Sequence, residues 1–240
     1  MFHFRKFSLD HEKSSLKIGT DSVLLGALTP VDRVNSLLDI GCGCGVIAFC
    51  IALKMGLHHP SLHQQIVGID IDAPSIIEAR ENLTLFPKKK CQQIDFFETS
   101  LQQYVHQTQN RFDLIVSNPP YFANALKPDD EKKWKSKHRD AHLSFSELIE
   151  GVVSLLNEHG IFYLILPVTE NEEFEKLAAG KLYISSRLTI KPTPQKPANR
   201  VISSYSKNPN EEVFETELII RNENFQFSEE YKKITADFYL

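Results

Sequence analysis

The residues with the clearest chemical potential form the tetrapeptide Asn118-Pro119-Pro120-Tyr121, which directly follows an apolar run at 112–117. Two consecutive prolines fix two φ angles and remove two N–H donors, so the turn that they form is stiff. The side-chain oxygen of Asn118 and a neighbouring proline carbonyl can then face one point and hold a planar NH2 group. Tyr121 adds an aromatic face on which a flat ring could stack. We assign all four residues to catalysis.

A second candidate site is the glycine-rich segment DIGCGCG at 39–45, between an apolar run and a helical pattern. Gly41, Gly43 and Gly45 permit a tight turn and let a ligand approach the main chain. Their G-x-G-x-G spacing differs from the G-x-G-x-x-G fingerprint of dinucleotide-binding proteins. Asp39 adds negative charge, which favours a cationic or uncharged ligand group over a pyrophosphate. These features predict S-adenosylmethionine as the cofactor.

Further candidates for cofactor binding lie at the ends of the neighbouring apolar runs. Asp70 nearly ends the run at 66–71, where its carboxylate could accept both hydroxyls of a ribose. Asp72 suits the N-cap of the next helix better than a ligand contact. Ser100 and Leu101 follow the next run, and we expect them near the adenine through a hydroxyl and the backbone. Asn118 is counted with the cofactor site as well as with catalysis.

Together, the two sites indicate methyl transfer to an exocyclic amino nitrogen. The amino nitrogen of adenine is a poor nucleophile because its lone pair is delocalised into the ring. Two acceptors on its hydrogens draw the nitrogen toward tetrahedral geometry and stabilise the positive charge that develops during transfer. No strongly basic side chain is then required.

The elements that must position these residues alternate between short β-rich runs and helical patterns. Such alternation is typical of a parallel sheet covered on both faces, and it predicts an α/β, Rossmann-like fold in one domain covering residues 1–240. The predicted strands are 36–40, 66–71, 91–97, 112–117, 161–167 and 182–190, and the predicted helices are 46–55, 74–86, 144–156 and 170–179. Residues 200–207 and 213–221, separated by a polar turn, indicate an antiparallel pair at the C-terminal edge.

Composition limits the classes of function. The 240 residues, 42% of them hydrophobic, can bury a complete sheet. A net charge of -4 means that any nucleic acid must be held by a local basic surface. No apolar run reaches the ~18–20 residues that span a bilayer, and the N-terminus has no secretory core. The cysteines and the segment HHPSLH do not have the spacing of a zinc site. We expect a cytoplasmic protein without metal, and favour a monomer.

Basic residues gather around the only tryptophan in the segment 127–142, directly after the tetrapeptide. Those that could meet phosphates beside an extruded base are Lys132, Lys133, Lys135 and Arg139. Acidic residues in the same segment reduce its net positive charge. The other interpretation is that the segment is a solvated, mobile loop. Arg200 ends a second basic stretch that contains three prolines. Because single-stranded RNA offers splayed bases, an anticodon loop fits this arrangement better than duplex DNA.

DIGCGCG, IVGIDID and SNPPYF, in this order, resemble the class I amino methyltransferases that act on adenine, cytosine or glutamine amides. The opening segment 4–27, RDAH at 139–142 and the closing ITADFYL resemble more closely the bacterial family that methylates adenine 37 of a valine tRNA. The resemblance covers nearly the whole chain. It implies that the segment from Lys17 lies over the cofactor, with Thr20 and Asp21 near its amino-acid end. Ser100 departs from the Asp that the family more often carries.

Three other functions stay open on the sequence. A DNA adenine methyltransferase would normally need a target-recognition domain, for which 240 residues leave no room. Methyltransferases that act on protein glutamine usually carry an additional N-terminal helical domain, whereas the glycine segment here begins at residue 39. A cofactor-binding RNA module without chemistry is disfavoured by the intact segment 118–121.

Overall fold

The computed structural model describes residues 1–58, 63–90, 92–120, 143–209 and 212–239. In chain order, the strands are β1 (Phe2–His3), β2 (Ser8–Leu9), β3 (Ser36–Ile40), β4 (Gln64–Asp70), β5 (Gln92–Glu98), β6 (Phe112–Ser117), β7 (Leu156–Leu166), β8 (Tyr183–Lys191), β9 (Arg200–Ser206) and β10 (Phe214–Ile219). The helices are α1 (Thr20–Leu28), α2 (Val46–His58), α3 (Ala73–Leu85), α4 (Leu101–Gln107), α5 (Phe145–Leu155), α6 (Val168–Ala178) and α7 (Glu229–Thr235).

Eight strands form one sheet in the order β10-β8-β9-β7-β6-β3-β4-β5. Strands β5, β4, β3, β6 and β7 pair in parallel, and β10 pairs in parallel with β8. Only β9 runs antiparallel to its neighbours in this sheet. The loops that follow β3, β4, β5, β6, β7, β8 and β10 therefore leave the sheet at one edge, which we call the carboxyl edge. Strands β1 and β2 form a separate antiparallel ribbon.

Two hydrophobic clusters cover the two faces of the sheet, so the predicted Rossmann-like class is confirmed. Because side chains alternate along a strand, Leu37 packs into one cluster and Leu38 into the other. The first cluster contains residues of α1, α2, α3 and α7, and the second contains residues of α4, α5 and α6. The sheet is thus buried between two helical layers, which leaves the loops at its edges free for function.

The four predicted helices and six predicted strands of the α/β pattern are all present, with ends shifted by a few residues. Local capping explains where helices begin. Asp72 accepts a hydrogen bond from the backbone N–H of Ser75 at 3.0 Å, which confirms its expected place as the N-cap of α3. Ser144 and Glu147 form a reciprocal capping box at the start of α5.

The predicted antiparallel pair at 200–207 and 213–221 is wrong, although the sheet does contain an antiparallel C-terminal strand. That strand is β9, and it lies between β7 and β8 instead of pairing with β10. Five consecutive residues of β9 are buried, so both faces of the strand are covered, which suits an interior position in the sheet. The first four residues of β10 are exposed, which suits the outermost position of the sheet.

The two ends of the described chain meet beside α1. The backbone N–H of Arg5 donates to the carbonyl of Phe238 at 2.9 Å, and Lys6 pairs with Asp237 at 3.1 Å. The ammonium of Lys54 donates to the carbonyls of Ala27 and Thr29 at 2.6 Å, at the C-terminal end of α1. Helix α1 is therefore anchored at its end, which matters because its first turn reaches the candidate site.

No helix in the described ranges is long and apolar enough to cross a membrane. Within the same ranges, no group of three or more histidine, cysteine, aspartate or glutamate side chains could hold a metal ion. Cys42, Cys44 and Cys50 are free thiols and buried.

Candidate active site

The turn between β3 and α2 forms an open cradle at the carboxyl edge. Gly41 and Gly43 have φ angles of 72° and 54°, which side-chain-bearing residues rarely adopt. A Cβ placed on either glycine would meet no atom within 4 Å, so the space beside the main chain is open. At Gly45, by contrast, an added Cβ would lie only 2.9 Å from the Phe96 ring, so glycine is needed there for close packing. The first two glycines thus leave room for a ligand against the backbone.

Asp70 joins this turn to the loop after β4. One carboxylate oxygen accepts from the N–H of Gly43 at 2.8 Å, and the other accepts from the N–H of Asp72 at 2.9 Å. Burial raises the pKa of the Asp70 carboxyl, while these two hydrogen bonds act in the opposite direction. Each oxygen keeps a further lone pair, so the carboxylate can still accept ribose hydroxyls. Asp70 lies where the sequence predicted it.

Asp39 is a buried carboxyl with one unused acceptor. Its side chain is 0% exposed; Oδ2 accepts from the N–H of Ala48 at 3.1 Å, whereas Oδ1 has no partner in the described chain. Burial raises the pKa of Asp39 to about 7; the Ala48 bond lowers it, and the Asp70 charge raises it further. An unsatisfied buried carboxylate is costly unless a donor or cation arrives. The arrangement favours a cationic ligand group beside the glycine turn.

Ser100 and Leu101 have structural contacts at the start of α4. The hydroxyl of Ser100 accepts from the N–H of Gln103 at 3.1 Å in a capping box. The side chain of Leu101 is buried against Gly151 of α5. The loop after β5 nevertheless adjoins that of Asp70, because the N–H of Thr99 donates to the Asp70 carbonyl at 2.9 Å. A cofactor contact through this loop stays a prediction.

The segment before α1 is fastened to α3 and to the glycine turn. The amide nitrogen of Asn82 donates to the carbonyls of Asp10 and Cys44 at 2.9 and 3.1 Å. Glu78 accepts from the N–H groups of Lys13 and Ser14, both at 2.9 Å. The chain leading to α1 therefore lies beside the turn. This agrees with the prediction that the segment from residue 17 covers a cofactor there, but does not test it.

The other half of the site is the end of β6. Ser117 is buried and donates its hydroxyl to the carbonyl of Ile40 at 2.8 Å, which fixes the end of β6 against β3. The next side chain, Asn118, donates through Nδ2 to the hydroxyl of Ser22 in α1 at 3.0 Å. Its Oδ1 is buried and accepts no hydrogen bond from the described residues. The amide oxygen is thus held in place as an unused acceptor.

Asn118, Pro119 and Pro120 are described, and they lie at the carboxyl edge directly beside β3, which carries the glycine turn. Tyr121 lies outside the described residues, as do the four basic residues of the segment 127–142 that the sequence assigned to RNA, namely Lys132, Lys133, Lys135 and Arg139. Their roles stay predictions.

Thr20 and Asp21 begin α1. They line a separate cavity at the carboxyl edge, in which Asp21 pairs with the Arg200 guanidinium at 2.7 Å. Of the other cations in the second basic stretch, Arg187 pairs with Glu175 and Glu215, and Lys191 pairs with Glu217. Three of the four cations in that stretch are therefore paired with carboxylates.

Ser22 is the residue of the candidate site that sequence reasoning missed. It is buried, belongs to a helix that was not predicted, and touches Asn118 across 96 positions of sequence. Its place in the segment that resembles the adenine-37 family was the only available signal. The side-chain amide of Asn118 can point either its nitrogen or its oxygen toward α1. Because the hydroxyl of Ser22 accepts a hydrogen bond from the nitrogen, the amide oxygen faces the other way.

The site as a whole fits S-adenosylmethionine better than a nucleotide with a pyrophosphate. The main chain is open at Gly41 and Gly43, and Asp70 offers acceptors at the end of the adjacent strand. The unpaired Oδ1 of Asp39 adds negative character, which suits a sulfonium or ammonium group and repels phosphate. Asn118 completes the arrangement with an acceptor for a second molecule.

Comparisons with known proteins agree with this chemistry. A family model described as a methyltransferase domain matches residues 32–215. The tRNA1(Val) (adenine(37)-N6)-methyltransferase of Bacteroides thetaiotaomicron is 35% identical, covering 100% of this chain and 97% of that protein. The protein of the same name from Photorhabdus laumondii is 30% identical, covering 100% and 95%. A predicted O-methyltransferase from Agrobacterium tumefaciens, solved as a crystal structure, shares the fold, with TM-score 0.65, 17% identity, and coverage of 91% of this chain and 96% of that one.

Proposed function

The chain belongs to the tRNA1(Val) (adenine(37)-N6)-methyltransferase family, and we propose that it methylates N6 of adenine 37 in tRNA1(Val). The observation that carries the proposal is the amide of Asn118. Its nitrogen donates to Ser22, and its buried oxygen is left without a donor in the described chain. A buried acceptor of this kind normally has a partner. The amino group of a flipped adenine would supply that partner.

Asn118 Oδ1 and the carbonyl of Pro119 are the acceptors that we assign to the two hydrogens of the adenine amino group. Both come from a stiff turn, so they require little reorganisation when the base arrives. S-adenosylmethionine, when bound, supplies an electrophilic methyl group on a sulfonium centre. The two acceptors would hold the adenine amino nitrogen toward that methyl group; transfer would release the thioether S-adenosylhomocysteine, and one amino proton would be lost to solvent.

We assign Gly41, Gly43 and Asp70 to S-adenosylmethionine, with Asp39 next to its cationic portion. The support is the open backbone at the two glycines, the position of Asp70 and the unpaired Asp39 oxygen. Thr20, Asp21, Gly45, Ser100 and Leu101 stay weaker assignments. Gly45, Ser100 and Leu101 make structural contacts, and Thr20 and Asp21 line the neighbouring cavity.

Several further assignments rest on the proposed substrate alone. Tyr121 would stack on the flipped base, as aromatic rings do in other base-flipping enzymes. The basic residues of the segment 127–142 would meet phosphates. A tRNA substrate places the reaction in the cytoplasm, and a monomer is the expected state of the enzyme.

The test of this proposal is the variant Asn118→Ala. Removing one preorganised acceptor is expected to lower kcat by about 100- to 1000-fold. The Kd for S-adenosylmethionine, measured by calorimetry, should change little. Asn157→Ala is the matched control, because Asn157 is also partly buried and bonds Asp113, at 2.7 Å, near the start of β6. Equal turnover in the two variants would remove Asn118 from the mechanism.

A further inference from the structure

We infer that a cavity at the carboxyl edge, connected to Asn118 through the first turn of α1, binds the single-stranded RNA that flanks the target adenine, an inference that rests on the proposed function. The cavity has a volume of about 1170 Å³ and lies beyond the ends of β8 and β10 and the start of β9. We call it the basic cavity. Its size exceeds that of most sites for single small molecules, which hold roughly 300–1000 Å³.

The basic cavity is joined to the catalytic turn through the first turn of α1. Thr20 and Asp21 line the cavity, and the next residue, Ser22, accepts the hydrogen bond from Asn118. A polynucleotide that delivers one base to Asn118 therefore has its neighbouring nucleotides beside this cavity. The glycine turn lies on the opposite side of β6, so the two ligands would not compete for the same space.

The charge of the cavity suits a polyanion. Among the described residues that line it, four are lysine or arginine, namely Lys196, Arg200, Arg221 and Lys232, against one carboxylate, Asp21. Arg200 pairs with Asp21 and Lys232 pairs with Glu229, whereas in the described chain no carboxylate pairs with the exposed side chains of Lys196 and Arg221. A chain with a net charge of -4 has here the local excess of positive charge that a nucleic acid requires.

The same cavity presents flat groups in a stack. The guanidinium of Arg221 lies 4.2 Å from the centre of the Phe227 ring, and Phe227 stacks on Tyr231 at 4.8 Å with an angle of 16° between planes. Tyr239 continues the stack at 6.3 Å from Tyr231. Tyr231 is itself buried, and Phe227 lies between Arg221 and Tyr231, so the stack forms a wall of the cavity. Exposed aromatic rings beside cations are a means by which proteins hold unstacked RNA bases, and at this cavity the most exposed ring is that of Phe225.

Phe225 adds a strained and exposed ring to the rim. Its φ is 59°, a left-handed conformation that is unfavourable for a bulky side chain, yet the ring is 69% exposed. The turn is held by Asn222, whose side-chain oxygen accepts from the N–H groups of Asn224 and Gln226, both at 3.0 Å. Nothing in the core is gained by this exposure. The backbone strain at Phe225 keeps its ring exposed to solvent, and strain of this kind is typical of binding sites.

The experiment measures the Kd of an unmodified tRNA1(Val) transcript for Phe225→Ala and Lys196→Ala. Loss of one stacking ring should weaken binding by about tenfold. Loss of one phosphate contact should reduce the slope of log K against log salt by about 0.7 to 0.9. The matched controls are Phe214→Ala, because Phe214 is 70% exposed at the far end of β10, and Lys176→Ala on α6. Both controls should bind like the wild type.

Phe225→Gly separates binding from stability. Glycine tolerates the left-handed conformation, so this variant should unfold at the same temperature as the wild type or higher, while losing tRNA affinity. The Kd for S-adenosylmethionine should be unchanged in every variant.

Two outcomes would overturn the inference. If the wild type methylates the transcript and Phe225→Ala and Lys196→Ala bind it no more weakly than the controls, the basic cavity is not the RNA site, and the proposed function stands. A wild-type protein that neither binds nor methylates the transcript would overturn the proposed function and the inference together.

Discussion

The carboxyl edge of the sheet has two halves with opposite character. The half formed by β3, β4 and β5 carries the glycine turn with Asp39 and Asp70, two carboxyl groups whose pKa is raised by burial. The half formed by β8, β9, β10 and α7 carries the basic cavity, with exposed cations and stacked rings. Strand β6 lies between the halves and ends in Asn118.

This difference matches the charges of the two proposed ligands. Buried carboxyl groups suit a cofactor with sulfonium and ammonium groups, and would repel phosphates. Exposed cations and flat side chains suit a polyanion with planar bases. The transferred methyl group has to pass between the two ligands, and Asn118 lies at that boundary. Variants in each half should therefore affect one ligand and spare the other.

Asp70→Ala is expected to have the largest effect of the variants that separate the halves. It removes a carboxylate proposed to accept two hydroxyls, so the Kd for S-adenosylmethionine should rise by at least about 100-fold, because two bonds to a charged group at roughly 1.5–3 kcal/mol each give about 3–6 kcal/mol. Binding of tRNA should change by less than about threefold. Asp72→Ala is the control, because it removes the α3 cap two residues away. Equal loss of cofactor binding in both variants would contradict the role of Asp70.

Asp39→Asn tests the buried carboxyl through the pH dependence of stability. The folded pKa of Asp39, about 7, lies above the unfolded value of 3.8, so its contribution to stability is greatest below pH 3.8 and is lost as the pH rises through 7. Between pH 5 and 8 the wild type should lose about 2–3 kcal/mol from this group alone. Asparagine keeps an acceptor for Ala48 but does not titrate. Chemical denaturation curves of both proteins at the two pH values measure the difference.

Ser22→Ala should have a smaller effect and should act on turnover. Without the hydroxyl, the Asn118 amide loses its anchor, and we expect kcat to fall by roughly 3- to 10-fold, the value of one hydrogen bond, with KM for both substrates unchanged. Ser22→Thr keeps a hydroxyl and should recover part of the rate. Ser186→Ala serves as the control, because it removes a comparable hydrogen bond that lies away from the site. That bond joins the hydroxyls of Ser186 and Ser204 at 2.7 Å. A change in KM alone would contradict the positioning role.

Lys191→Ala should have the smallest effect, less than about twofold on tRNA affinity. Lys191 pairs with Glu217 at 2.7 Å, whereas Lys196, five residues later, has no carboxylate partner in the described chain. Comparing Lys191→Ala with Lys196→Ala therefore tests whether any lysine near the cavity contributes to RNA binding or only one without a carboxylate partner. Equal losses in Lys191→Ala and Lys196→Ala would favour a diffuse basic surface over the defined cavity.

Sequence patterns predicted the part of the site whose chemistry is local. The glycine turn, Asp70 and Asn118 each follow a short apolar run, and parallel strands bring such ends to one edge. Ser22 could not be found in this way, because its contact with Asn118 depends on how α1 packs. Ser100 was considered only as a ligand contact, although Ser100 and Gln103 carry the S-x-x-Q signature of a capping box, which marks the start of α4.

The pairing of the last strands shows the same limit. A polar turn between two β-rich runs usually predicts a hairpin, and the local sequence contains nothing against it. Strand β9 is buried on both faces and takes an interior position, paired on its two sides with β7 and β8 from earlier in the chain. The basic cavity depends on this arrangement, because it brings Arg200 at the start of β9 close to Asp21 and the end of β8. The cavity was for that reason not predictable from local patterns.

The most direct test of the account is the identity of the methylated product. The wild-type protein is incubated with labelled S-adenosylmethionine and, separately, with unmodified tRNA1(Val), duplex DNA and a pool of cell protein. The account predicts N6-methyladenosine at position 37 of the tRNA, formed about 100- to 1000-fold more slowly by Asn118→Ala. Label confined to DNA or to protein glutamine would contradict the tRNA substrate while retaining the amino-group chemistry, and no label in any pool would contradict the chemistry itself.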